Sequence, residues 1–86
     1  MEQISTTLDT VKAVLASSLG IEGRVESMSA STPLLGSLPE LDSLAVIQVV
    51  YALEERFGFS VIDDEITAEV FDTLGSLVSF VERKLR

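Results

Sequence analysis

The 86-residue sequence predicts an all-α fold: a small four-helix bundle of three long helices and one short third helix, with a long loop between helices 1 and 2. Three observations carry this. Apolar residues recur at spacings of three and four in three separate stretches, the period of a helix with one buried face. No stretch alternates apolar and polar residues over a useful length. Hydrophobic residues make up 47% of the chain, enough for a core, while the length is too short for two. Residues 1–86 are therefore read as a single domain.

The first helix follows from Ile4, Leu8, Val11, Leu15 and Leu19, which trace one stripe, with Gln3, Thr6, Asp9, Thr10 and Lys12 mainly on other faces. Gly20 and Gly23 end its periodicity. Residues 20–41 hold three of the five glycines and both prolines, with serines and a threonine between them, a loop by composition. At about 20 residues the loop exceeds an ordinary connection and should be pinned or functional. Val25, Met28, Leu34, Leu35 and Leu38 are the expected pins, and Thr32-Pro33 suits the opening of a single helical turn.

The second helix runs from Asp42 to about Phe57. Asp42 is a good N-cap, Val46, Val49, Val50, Leu53 and Phe57 make the buried stripe, and Gly58 ends it. Phe59-Ser60-Val61-Ile62 bridges to Asp63-Asp64-Glu65-Ile66, where acids in a first turn complement a helix dipole. This predicts the short third helix at about residues 63–69. Phe71 or Asp72 opens the last helix, with Leu74, Leu77, Val78, Val81 and Leu85 buried and Arg83, Lys84 and Arg86 at its negative end.

Composition then removes whole classes of chemistry. Without Cys or His there are no disulfides, thiol nucleophiles, His bases, His-ligated haem or usual zinc sites. Fourteen acids against six bases give a formal charge of −8, which repels nucleic acid and anionic membrane and favours basic protein partners or cations. Residues 40–72 contribute the whole of that net charge, either as a solvated face or as the place to which a basic partner is steered. The opening Met1-Glu2-Gln3-Ile4 lacks the basic region of a signal peptide, and no apolar run approaches the ~20 residues of a membrane span. A cytoplasmic, monomeric domain without membrane insertion is the expectation.

Two clusters remain. Asp63, Asp64, Glu65, Glu69 and Asp72 are the densest acids, but Ala68 and Leu74 fall where an EF-hand loop wants Gly and Glu. A capped, solvated helix is expected there in place of a metal site, with weak cation binding as the other reading. Asp42-Ser43-Leu44 places a hydroxyl at the first position of the second helix, directly after the N-cap. A phosphodiester attached there would face unpaired amides at the positive end of the helix dipole. The plain alternative is an ordinary capping sequence.

Asp42-Ser43-Leu44, then Tyr51-Ala52-Leu53-Glu54-Glu55-Arg56-Phe57-Gly58, then Phe71-Asp72-Thr73-Leu74 with Leu77 and Phe80-Val81, resembles the acyl carrier protein family over nearly the whole domain. The resemblance implies a bundle of acyl-carrier type and a carrier protein, not an enzyme. It implies covalent 4'-phosphopantetheine on Ser43, flanked by Asp42 and Leu44, transferred from coenzyme A by a separate phosphopantetheinyl transferase. The arm's thiol would hold acyl intermediates as thioesters for fatty-acid, polyketide or other dedicated biosynthetic enzymes; a chain without Cys can carry thioesters only on such an imported thiol. Val46, Val50, Ile62, Ile66 and Phe71 are candidates for sheltering the acyl chain and equally suit an ordinary core. Peptidyl or aminoacyl carriage, and an unmodified helical adaptor, are the alternatives.

Two departures from the family pattern stand out. Where fatty-acid carriers place acids on the exposed face after the serine, this chain has Ala45 and Gln48, with Ile47 and Tyr51 beside them; Glu54 and Glu55 remain. Leu44, Ile47, Gln48, Tyr51, Glu54 and Glu55 are thus the expected partner-binding residues, matched to enzymes with basic or partly apolar patches. Burial of Ile47 and Tyr51 against the loop is the competing reading. The second departure is the run Ser37-Leu38-Pro39-Glu40-Leu41 between Leu35-Gly36 and Asp42, longer than the family's usual approach to its serine.

Overall fold

The computed structural model describes residues 2–85, with side chains from Thr7 onward; Ile4, expected to begin the first stripe, lies outside the described side chains. Among the described residues the α-helices are α1 (Glu2–Leu19), α2 (Glu22–Val25), α3 (Ser43–Phe57) and α4 (Leu74–Leu85), with one 3-10 turn at Asp63–Glu65. The all-α expectation and the three long helices agree with this architecture.

Helix α1 packs against α2, α3 and α4, and the main core forms where the stripes of α1, α3 and α4 meet. Val11 and Leu15 of α1, Val49 and Leu53 of α3, and Leu74, Leu77 and Val81 of α4 are essentially inaccessible. Burial of this kind, at ~25 cal/mol per Å2 of apolar surface, holds together helices too short to persist alone. A satellite core of Ala16, Ile21 and Val25, joined by Leu19, Met28 and Leu38, sits under α2. No described helix is long and apolar enough to cross a membrane.

The long loop is pinned by backbone as much as by side chains. Pro33 and Thr73 form an isolated antiparallel bridge, so Thr32-Pro33 does not open a helical turn. The Leu34 N–H donates to Asp72 O (3.0 Å) and the Leu74 N–H donates to Thr32 O (2.9 Å). These bonds flank the proline, whose missing N–H falls where an antiparallel pair requires none. Val25 and Leu34 are buried and Met28 and Leu38 half-buried, as pins should be. Leu35 is not a pin: its side chain is exposed, and only its N–H is held, by Phe71 O at 2.9 Å. Ile21 and Leu41 anchor the loop in addition.

The expected third helix over 63–69 contracts to the 3-10 turn. The Ile66 N–H closes it onto Asp63 O at 3.0 Å, and Ile66 then leaves helical space (φ −88°, ψ 93°). The segment offers too few inward apolar residues to hold a longer helix. The short α-helix is instead α2, inside what composition marked as loop.

Helix α4 is opened by Thr73, not by Phe71 or Asp72. The Ser76 N–H donates to Thr73 Oγ1 and the Thr73 N–H donates to Ser76 Oγ, both at 3.0 Å, a reciprocal cap of the capping-box type. Phe71 is consumed by the core. At the far end Leu85 is exposed, and Phe80 takes the buried role expected of it.

Candidate cofactor-attachment site

The N-terminus of α3 is set by three consecutive residues. Leu41 is buried in the main core and fixes the chain on entry. Asp42 adopts an extended conformation (φ −93°, ψ −176°), its Oδ1 accepts the Ala45 N–H at 2.8 Å, and its carbonyl accepts the Val46 N–H at 2.9 Å. That is the N-cap anticipated from composition. Leu41 and Val46 occupy the flanking positions of a hydrophobic staple, and both pack into the main core. Ser43 follows as the first helical residue, exposed to solvent. Among the described residues the N–H groups of Ser43 and Leu44 have no protein acceptor, as first-turn amides do not.

From this hydroxyl along α3, several apolar side chains are exposed among polar ones. Leu44 is 67% exposed, Tyr51 65% and Ile47 40%, which decides between the two readings of Ile47 and Tyr51: they face solvent. Gln48 and Glu55 are also exposed. Glu54 is half-buried and its Oε2 accepts the Val61 N–H at 2.7 Å, so it ties the segment after α3 back onto the helix. Ala45 is buried at 8% exposure, which removes it from the docking face. An acid there would meet the core and not a partner.

Of the residues suggested for sheltering an acyl chain, Val50 and Phe71 are buried and Val46 and Ile66 half-buried against the same core. Ile62 is 64% exposed and stands apart from them. Two carboxylates, Glu65 and Glu40, have lowered pKa values. The Glu65 carboxyl is held below the usual range first by the Lys84 ammonium, whose Nζ donates to both of its oxygens at 2.9 and 3.0 Å, and then by the Ile62 N–H. The Glu40 carboxyl is lowered by its own backbone N–H and then by the Arg24 guanidinium. Both shifts run opposite to the rise that readies a carboxylic acid for proton transfer near neutral pH.

The exposed hydroxyl fits a covalent phosphodiester. It stands beside two unpaired amides at the positive end of a 15-residue helix, with room outward for a tether. Ser43 would hold the group, with the Ser43 and Leu44 amides next to its phosphate.

Comparison with known proteins bears directly on this. Residues 9–81 match the family described as the phosphopantetheine attachment site. The fold also superimposes on the solution NMR structure of a holo acyl carrier protein from Nitrosomonas europaea. The TM-score is 0.85 at 54% sequence identity, over 91% of this chain and 94% of that one. The chain belongs to the acyl carrier protein family. It is a carrier and not an enzyme, its cofactor is covalently attached 4'-phosphopantetheine, and its partners are a phosphopantetheinyl transferase and acyl-handling enzymes.

The sequence reading did not pair Glu40, before the serine, with Arg24 of α2. The only signal was a lone base on one side of the loop and a lone acid on the other, sixteen residues apart.

Proposed function

We propose that Ser43 is the attachment point of the 4'-phosphopantetheine arm, and that the carrier, as a cytoplasmic domain spanning residues 1–86, presents acyl groups as thioesters to a dedicated set of biosynthetic enzymes. The supporting observation is the exposed Ser43 hydroxyl at the start of α3, next to amides that lack a protein partner. The arm supplies the thiol that this Cys-free chain does not possess. Asp42 and Leu41 contribute by locking the turn, so that the hydroxyl projects outward while the cap keeps the first turn intact. Leu44, Ile47, Gln48 and Tyr51 offer a partly apolar docking face, and Glu55 and the net negative charge of residues 40–72 steer basic patches toward it.

Incubation with coenzyme A and a broad-specificity phosphopantetheinyl transferase tests the assignment. The parent chain should gain one phosphopantetheinyl group by intact mass, and Ser43→Ala should gain none. Equal labelling of Ser43→Ala would move the site elsewhere. An unlabelled parent would overturn the Ser43 assignment.

A further inference from the structure

We propose that the ion pair between Arg24 and Glu40 is a latch that holds residues 37–41 against α2 and so sets how the modifying transferase reaches Ser43. The proposal rests on the Ser43 reading. The Ser37–Leu41 segment runs directly into the N-cap of α3, and both packing and hydrogen bonds fasten it. The Leu38 side chain packs on the satellite core of Ile21 and Val25. Its N–H donates to Leu34 O at 3.0 Å, and the Leu41 N–H donates to Leu38 O at 3.0 Å. Between Leu38 and the buried Leu41, the Glu40 carboxylate pairs with Arg24 of α2, tying the segment to that helix.

Helix α2 has four residues and cannot persist by local bonding alone. It is held by Ile21 and Val25 beneath it, and it displays Arg24 outward toward Glu40. The two side chains are 50% and 36% exposed, so the pair adds little to global stability. Its leverage is positional. Glu40 lies two residues before the cap and three before the serine, where small displacements change what a docking enzyme meets. Arg24 and Glu40 are therefore positioning residues, and neither touches the reacting hydroxyl.

The test is steady-state phosphopantetheinylation of the full chain by a purified transferase, for the parent, Arg24→Glu, Glu40→Arg and the double exchange. Each single variant should raise KM by about two- to five-fold, the range of an exposed pair, with kcat within error of the parent and the melting transition still cooperative. The double exchange should restore the parent KM. At high salt the ratio of variant to parent KM should fall toward one. The two single changes alter net charge in opposite directions, so charge steering alone would move KM in opposite directions and would overturn the latch. Unchanged KM in both singles, or failure of the exchange to rescue, would also overturn it while leaving Ser43 in place. A parent that accepts no phosphopantetheine would overturn the Ser43 reading and the latch with it.

Discussion

Replacing Gly75 by Ala sets two effects of opposite sign against each other. Gly75 is the second residue of α4, with ordinary helical backbone, so intrinsic propensity favours Ala there by up to about 1 kcal/mol. The loop argues the other way. A Cβ at Gly75 would lie 2.8 Å from the Ala30 carbonyl oxygen and 3.2 Å from its Cβ. Backbone must then retreat, because neither obstacle is the end of a flexible side chain. The bond from the Gly75 N–H to Ala30 O (2.7 Å) and its neighbour from Leu74 to Thr32 (2.9 Å) lie at the same contact. Weakening both costs about 1 kcal/mol each, and overpacking adds about 1–3 kcal/mol. After the propensity gain, the net loss is about 2–4 kcal/mol, or about 8–32 °C in Tm for a domain of this size. Circular dichroism melts of Gly75→Ala measure it. Gly23→Ala is the control, since a Cβ there meets nothing within 4 Å, and it should melt no lower than the parent. An unchanged or raised Tm for Gly75→Ala would refute the close packing of the loop on α4.

The other predictions concern electrostatics, the cap and the docking face. Glu65 is held below its ordinary pKa, so the stability from its pairing with Lys84 is complete above about pH 4.3 and disappears as pH falls through the lowered folded value. The Tm difference between the parent and Lys84→Met should therefore shrink from pH 7 to pH 3, and a constant difference would discount the pair. With nine acids and one base within residues 40–72, added salt or Mg2+ should raise the Tm of the parent, and a flat response would show that the clustered charge does not strain the fold. Asp42→Ala removes the acceptor for the Ala45 amide and should lower stability by about 1 kcal/mol in urea melts; no loss would mean the cap is dispensable. Ile47→Glu and Gln48→Glu should increase turnover by general fatty-acid enzymes, while unchanged rates would mean that the exposed apolar face does not select partners.

Much of this was legible in the sequence because the long helices announce themselves by period. Asp42 and Gly58 bracket α3 at the positions read from their chemistry, and the Gly58 N–H closes the helix onto Glu54 O at 2.8 Å with φ at +78°. The misreadings share a cause, which is that short segments take their conformation from partners distant in sequence. Thr32-Pro33 reads as a helix start in isolation, yet it becomes a bridge because Asp72 and Leu74 offer an acceptor and a donor on either side of the proline. Residues 63–69 carry acids suited to a first turn but no stripe to extend it. Four-residue α2 is shorter than any periodicity can register, and it exists because Ile21 and Val25 close a satellite core. At the site, the cap and the serine were visible from residue types alone. The burial of Ala45 was not, since its neighbours Leu44 and Val46 are more apolar and less buried.

Fragmentation of the intact carrier in a mass spectrometer, after co-expression with a phosphopantetheinyl transferase, locates the arm on the chain and tests the central claim most directly. The account predicts that every fragment containing Ser43 carries the added mass and that fragments lacking it do not. An arm found on another serine would contradict it.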